Sequence, residues 1–250
     1  MRRFSISELD ARAPELALGR GLGLEIIGFC TAERMEDGSL IASEEARLRP
    51  FARKSLHAPY YELTPCAIDS LIGRVSLHRY RQAVETSLRL GIRRMVVHSG
   101  YAPQMYFPEW FVPKSIEFWR DFVRELPEDF EMLLENVLDV RPEHIRDVCD
   151  GVDDSRLRIC LDVGHANAYS EVPVEDWIAM LGGRIAHVHL HNNEGDADLH
   201  QPLGEGSIPM EAVLDAVLRE APEATFTIEN QDCLPSLVWL AEKGYIEEHT

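Results

Sequence analysis

Short apolar runs alternate with longer amphipathic stretches along the whole chain. This alternation is typical of parallel strands that are covered by helices. The pattern predicts eight strands, at residues 3–6, 22–29, 55–59, 94–99, 130–136, 157–162, 185–191 and 225–230. Apolar spacing predicts helices between them, among which are 74–90, 115–126 and one that opens at Pro209 and ends before Pro222. Eight such units in 250 residues predict an α/β fold, a (β/α)₈ TIM barrel that forms a single domain over residues 1–250.

Metal-compatible side chains end six successive strands of this predicted barrel. In chain order they are His57, His98, Glu135, Asp162, His189 and Glu229. The carboxyl ends of all barrel strands meet at one face, where active sites lie. Buried carboxylates and imidazoles that converge are costly unless a cation offsets them, and this mixture suits Zn²⁺, Mn²⁺ or Fe²⁺. One histidine at a strand end is usually a hydrogen-bonded structural residue, so the prediction rests on the six together. His78, His144 and His249 fall on predicted helices or the tail and are assigned no role.

The seventh strand leaves a choice among three histidines. His187, His189 and His191 alternate, so all three point to one face of the strand. His187 would lie deeper, as a packed and hydrogen-bonded imidazole, whereas His191 would lie higher, in the following loop. Periodicity does not choose the ligand among them.

Three further candidate ligands lie beyond the strand ends. His165 follows Asp162 by three residues, and Asp198 and His200 lie two residues apart in the loop after the seventh strand. Asp196 is a competing carboxylate in the same loop. Taken alone, this segment is typical of a polar, glycine-rich surface loop.

Composition narrows the location and the class of substrate. The chain has 25 Lys and Arg against 43 Asp and Glu, a net charge of −18, and this field repels DNA and anionic lipid surfaces. The five cysteines include no Cys-x-x-Cys pair, which favours a reducing compartment. The first residues lack the apolar run of a signal peptide, and no stretch is long and apolar enough to span a membrane. We therefore expect a cytoplasmic protein that acts on a small molecule.

Several motifs resemble one superfamily. They are His57-Ala58-Pro59-Tyr60, Leu134-Glu135-Asn136, Leu161-Asp162-Val163-Gly164-His165, His189-Leu190-His191-Asn192, Asp198-Leu199-His200 and Leu203-Gly204-Glu205-Gly206. Together they are similar to the xylose isomerase-like barrel superfamily, which includes endonuclease IV and the sugar-phosphate isomerases and epimerases. The resemblance runs from the third strand to the eighth and favours His189 as the ligand on the seventh.

The resemblance implies two possible metal centres. In the isomerase and epimerase branch, a single Mn²⁺ or Mg²⁺ is held by the residues that match Glu135, Asp162, His189 and Glu229, and the residue that matches His165 contacts the sugar. In the endonuclease IV branch, three Zn²⁺ ions are held by nine residues. The matching sets are His57, His98 and Glu135 for one ion, Glu135, Asp162, His189 and Glu229 for the second, and His165, Asp198 and His200 for the third.

The chain departs from both branches. The segment after His189 offers no Arg of the kind that many sugar epimerases carry there, and the loop after Glu135 lacks the Thr- and Gly-rich continuation of endonuclease IV. Apart from Tyr60, no DNA-intercalating loop is identifiable, so we do not expect DNA as the substrate.

The sequence thus favours a metal-dependent enzyme that hydrolyses a phosphoester in a small, sugar-like or phosphorylated molecule. The catalytic residues would be Glu135 as the carboxylate shared by two ions, Glu229 as the group that orients or deprotonates water, and His165 beside the phosphate. Zn²⁺ is the first choice of ion, with Mn²⁺, Mg²⁺ and Fe²⁺ as alternatives. The alternatives in function are a sugar or sugar-phosphate isomerase or epimerase with a single ion, and a barrel that binds a metabolite without turning it over.

Overall fold

The chain closes into a barrel of eight parallel strands in a computed structural model, which describes residues 3–247. The strands are β1 (Phe4–Ser7), β2 (Gly23–Ile26), β3 (Lys54–His57), β4 (Arg94–His98), β5 (Glu131–Glu135), β6 (Leu157–Asp162), β7 (Ile185–Leu190) and β8 (Thr225–Ile228). Each strand pairs with its sequence neighbours, and β1 pairs with β8 in the register of Phe4 with Phe226. The predicted (β/α)₈ fold is confirmed, and all eight predicted strands are present: β6 has the predicted bounds, and the others are shorter or shifted by a few residues.

Helices surround this barrel. They are α1 (Ala13–Arg20), α2 (Gly38–Leu48), α3 (Ser70–Arg89), α4 (Pro108–Val123), α5 (Pro142–Val152), α6 (Val163–Tyr169), α7 (Val174–Leu181), α8 (Met210–Glu220) and α9 (Leu234–Glu242). The predicted start of α4 at Ser115 is wrong, because the helix opens at Pro108, where the missing N–H of proline costs no hydrogen bond. Within residues 3–247, no helix has the length and apolar character needed to cross a membrane.

An apolar plug fills one side of the barrel interior. Val96, Leu133, Cys160 and Ala186 form a buried cluster that is separate from the main core between strands and helices. Two residues farther along β4, β5 and β6 come His98, Glu135 and Asp162. Side chains two residues apart on a strand share a face, so the plug lies directly beneath these three side chains.

The other side of the interior is polar. Glu25 of β2 is fully buried and accepts hydrogen bonds from Ser55 Oγ at 2.8 Å and Thr227 Oγ1 at 3.2 Å. The two ring nitrogens of His187 lie 2.6 Å from Thr225 Oγ1 and 2.8 Å from Thr227 Oγ1. Buried polar groups need such partners, and these residues supply one another with them.

The long loop after β7 is fastened back onto the barrel rim. Asn192 and Gln201 exchange two backbone hydrogen bonds, and the buried Asn192 side chain donates to two loop carbonyls. These bonds satisfy backbone groups that would otherwise be buried without partners. The fastened loop holds Asp198 and His200 over the carboxyl ends of the strands.

Candidate metal centre

The structure brings all nine predicted ligands to the carboxyl end of the barrel. They form three groups, and within each group the ligand atoms lie within 4.8 Å of one another. The first group is His57, His98 and Glu135; the central group is Glu135, Asp162, His189 and Glu229; the third group is His165, Asp198 and His200, joined by His191. Glu135 belongs to two of the groups.

The first group surrounds one oxygen of Glu135. Glu135 Oε2 lies 3.2 Å from His57 Nε2 and 3.4 Å from His98 Nε2. Burial lowers the pKa of His98 to about 3, so that imidazole is neutral with a lone pair available. Burial is the largest influence and opposes charge on His57 as well, but its hydrogen bond with Glu135 and the negative charges of the surrounding glutamates together raise its pKa. The Tyr60 ring stacks on His98 with centroids 4.8 Å apart and covers this group from one side.

The central group gathers three carboxylates around one imidazole. His189 Nδ1 lies 3.0 Å from Glu135 Oε1, 3.4 Å from Glu229 Oε2 and 3.7 Å from Asp162 Oδ2. Burial is the largest single influence and disfavours ionisation of Glu135, but the charges of His189 and His98 and the hydrogen bonds with His189 and His57 together hold its pKa well below the ordinary value. The pKa of Glu229 is raised by burial and by the nearby carboxylates. Three buried acids that share one imidazole require further positive charge.

The third group is built around Asp198. Its Oδ2 lies 3.2 Å from His165 Nε2 and 3.1 Å from His200 Nε2. Burial disfavours charge on both imidazoles, but the charge of Asp162 raises the pKa of His165 to about 10, and the hydrogen bond with Asp198 raises that of His200 to about 9. His200 has a φ of 48°, a left-handed conformation uncommon for a residue with a side chain. Such strain persists where the surroundings require it, here to turn the ring toward Asp198.

Three of these histidines share one orientation. Nδ1 of His57, His165 and His200 lies 3.0, 3.0 and 2.7 Å from the backbone carbonyls of Ala58, Asn136 and Glu229, respectively. A carbonyl only accepts, so Nδ1 carries the hydrogen and Nε2 faces a carboxylate. An unprotonated nitrogen and a carboxylate oxygen at about 3.2 Å repel each other unless a proton or a metal ion lies between them. A backbone carbonyl that fixes the other ring nitrogen is the usual arrangement of a ligating histidine, so these side chains fit divalent ions.

Sequence reasoning missed Glu25. Its Oε1 lies 3.0 Å from His189 Nε2, on the side of the ring opposite to the central group. Between Leu24 and Ile26, Glu25 resembles the solvent-facing residue of an alternating strand. Barrel strands are buried on both faces, so a glutamate within one must point into the interior, and that argument would have found it.

The remaining histidines separate as their positions indicate. His187 lies deep in the polar layer, whereas His191 is fully buried at the rim beside the third group. His78 is exposed on α3, and His144 packs against Tyr101 with ring centroids 4.9 Å apart. His249 lies outside the described residues, and Asp196, the competing carboxylate, is exposed on the loop.

A cavity of about 250 Å³ opens above the groups. Seven of the nine predicted ligands line it, and Asp162 and His189 lie beneath its floor. A pocket of this size and polarity suits a small polar ligand.

Residues 21–248 match the xylose isomerase-like TIM barrel family, and the chain belongs to that family. Among curated proteins, it is 29% identical over 189 residues to protein MJ1311 of Methanocaldococcus jannaschii, a match that covers 71% of this chain and 64% of that protein. The chain therefore spans less than two thirds of the length of that relative.

Several solved structures have the same fold. A D-tagatose 3-epimerase-like protein superimposes with a TM-score of 0.81 at 23% identity, covering 97% of this chain and 96% of its own. The TTHB071 protein from Thermus thermophilus, soaked with ZnCl₂, gives 0.79 at 26% identity over 99% and 100% of the two chains. Endonuclease IV from Thermus thermophilus gives 0.67 at 21% identity over 96% and 99%. The chain thus shares its fold with a D-tagatose 3-epimerase-like protein and with endonuclease IV.

Proposed function

We propose that this member of the xylose isomerase-like TIM barrel family hydrolyses a phosphoester in a small molecule at a three-metal centre, with Zn²⁺ as the preferred ion and Mn²⁺, Mg²⁺ or Fe²⁺ as alternatives. The observation that carries the proposal is the orientation of the outer histidines. His57, His165 and His200 each bind a backbone carbonyl through Nδ1 and turn Nε2 toward a carboxylate. An enzyme with one central ion would not require this arrangement in both outer groups.

The residues divide the chemistry among themselves. Divalent ions bound here would offset charge on phosphoryl oxygens and acidify a water molecule. Glu135 presents one oxygen to the first group and the other to the central group. Glu229 is the candidate to orient or deprotonate the water, because its carboxylate lines the cavity and lies 3.4 Å from His189 Nδ1 in the central group. His165, whose Nε2 faces Asp198, would stand beside the phosphate.

The cavity and the charge favour a small substrate. A volume of about 250 Å³ suits a sugar-like or phosphorylated metabolite. A net charge of −18 disfavours long-range attraction of a nucleic acid. The acidic chain therefore relies on the metal centre itself to attract a phosphate.

A second candidate is a sugar or sugar-phosphate isomerase or epimerase with one ion in the central group. The fold likeness to a D-tagatose 3-epimerase-like protein favours it. Glu135 and Glu229, at 3.0 and 3.4 Å from His189 Nδ1, would then exchange a substrate proton as opposed acid and base. The outer groups would bind substrate or only shape the rim.

Metal analysis of a double variant distinguishes the candidates. His98→Ala with His200→Ala removes one ligand from the first group and one from the third, so a three-metal centre should lose up to two ions per chain. The controls, also loaded with Zn²⁺, are the unsubstituted protein and His78→Gln, because His78 is exposed on α3 and lies outside the three groups. An unchanged count would refute the three-metal proposal and favour the isomerase. A protein that holds its ions but turns over no phosphoester or sugar would instead be a binding protein.

A further inference from the structure

His191 contacts the central group from behind. Its ring is fully buried, and Nε2 lies 3.1 and 3.2 Å from the two carboxylate oxygens of Asp162. The ring also stacks on His200, with centroids 3.9 Å apart and an interplanar angle of 17°. His191 is thus held between a central ligand and a ligand of the third group.

The chain reserves space for this ring at Gly164. A Cβ at that position would lie 1.9 Å from Cε1 of His191, far inside contact distance. Gly164 lies in the first turn of α6, where glycine is less favourable than alanine by about 1 kcal/mol. The helix therefore gives up intrinsic stability at a residue that lies against the imidazole.

The contacts of the Asp162 carboxylate indicate how His191 affects its orientation. Its Oδ1 accepts a hydrogen bond from the backbone N–H of His165 at 2.7 Å, which caps α6, and lies 3.1 Å from His191 Nε2. Its Oδ2 lies 3.7 Å from His189 Nδ1, on the side of the central group. His191 Nε2 lies almost as close to Oδ2, at 3.2 Å, so a single N–H there bridges the two oxygens and fixes the orientation of the whole carboxylate, with Oδ2 on the side of the central group.

The hydrogen of His191 belongs on Nε2. Its Nδ1 is buried and finds no hydrogen-bond partner among residues 3–247, unlike Nδ1 of His165 and His200. A buried N–H without an acceptor is costly, so Nδ1 is the unprotonated nitrogen and Nε2 the donor. The distance from Nε2 to Asp198 Oδ1, 3.6 Å, is also longer than either distance to Asp162.

We propose that His191 is a positioning residue whose Nε2–H fixes Asp162 so that Oδ2 points into the central metal site. The inference rests on the proposed metal centre, but only on its central group, which the hydrolase and the isomerase share.

The test isolates the central group. In a His98→Ala, Asp198→Asn background both outer groups lack a ligand, while the His200 ring that stacks on His191 is kept. Zn²⁺ affinity is measured there by competition with a chromophoric chelator. Adding His191→Ala should weaken binding about 10- to 100-fold, the usual effect of losing a group that orients a ligand. His191→Gln should restore most of the affinity, because the glutamine amide donates a hydrogen bond from the position of Nε2.

A second variant guards against misfolding. Gly164→Ala in the otherwise intact protein should displace the His191 ring and weaken the binding of one Zn²⁺ ion, although helix propensity alone favours alanine. Circular dichroism should show a folded barrel in each variant.

Three outcomes would overturn the proposal. One is a Zn²⁺ affinity that does not change when His191→Ala is added to the His98→Ala, Asp198→Asn background. Another is a loss of Zn²⁺ affinity in the otherwise intact protein that is equal for His191→Ala and His191→Gln and is absent in the His98→Ala, Asp198→Asn background. That result would make His191 a fourth ligand of the third group. A parent that binds no Zn²⁺ would refute the metal centre itself, and this is known before any His191 variant is measured.

Discussion

Glu135→Gln is the substitution that most directly tests whether the first and central groups share a ligand. The two oxygens of Glu135 face different groups: Oε2 lies 3.2 Å from His57 Nε2, and Oε1 lies 3.0 Å from His189 Nδ1. Glutamine has the same shape but one oxygen and no charge. It can therefore serve only one of the two groups, and its NH₂ faces the other.

The size of the effect follows from the ligands that remain. With the amide turned away, the first group would keep only His57 and His98, while the central group would keep Asp162, His189 and Glu229. Loss of a group that only orients a metal ligand lowers metal affinity by up to about 100-fold, which corresponds to about 2.7 kcal/mol. Loss of a charged ligand itself should lower the affinity for one ion by at least this much. The third group contains no atom of Glu135 and should keep its ion. A parent with three ions should thus fall to one or two.

The assay is elemental analysis after Zn²⁺ loading and gel filtration. Glu131→Gln is the matched control, because Glu131 begins the same strand and pairs with Arg94 away from the groups. It should keep the parental count. Three ions retained in Glu135→Gln would refute the shared carboxylate, and a fall from three to none would refute an independent third group.

Two further predictions concern the support of the site and its substrate. Glu25→Gln should lower the affinity for the central ion about 10- to 100-fold, because the negative charge beside His189 Nε2 makes that imidazole a stronger ligand. The control in the same chelator competition is Ser55→Ala, which removes one hydrogen-bond donor to Glu25 but keeps its charge. An unchanged affinity in Glu25→Gln would contradict this role of Glu25. Abasic-site DNA should not be cleaved at a useful rate at physiological salt, because the net charge of −18 opposes its approach, and efficient cleavage in a gel assay would show that local attraction prevails.

The fold and the positions of the candidate ligands follow from local features of the sequence. Apolar runs mark the strands, and in a parallel barrel every strand end lies at the same face. His57, His98 and Glu135 could therefore be placed together without knowledge of any contact between them. The loop residues Asp198 and His200 gained weight from family resemblance, because their approach to His165 depends on how Asn192 fastens the loop.

The supporting residues depend on contacts between distant parts of the chain. The place of His191 depends on Gly164, 27 positions earlier, and no periodicity in β7 shows that a ring fits against that glycine. Glu25 lies in the earliest part of the chain, outside the motifs of the resemblance, and its partner Thr227 is 202 positions away. Such contacts exist only once the barrel has closed.

The two halves of the barrel interior support the central group in different ways. Glu135 rises from the apolar plug, so packing against Leu133 and its neighbours fixes the base of its side chain. His189 rises from the polar layer, where its orientation depends on the hydrogen bonds that surround Glu25. Apolar packing around Glu135 fixes only the position of its side chain. The buried carboxylate of Glu25 fixes the position of the His189 imidazole and also determines how strongly that imidazole binds a cation. Substitutions in the polar layer should therefore tune metal affinity without touching the substrate cavity, and those in the plug should act chiefly on stability.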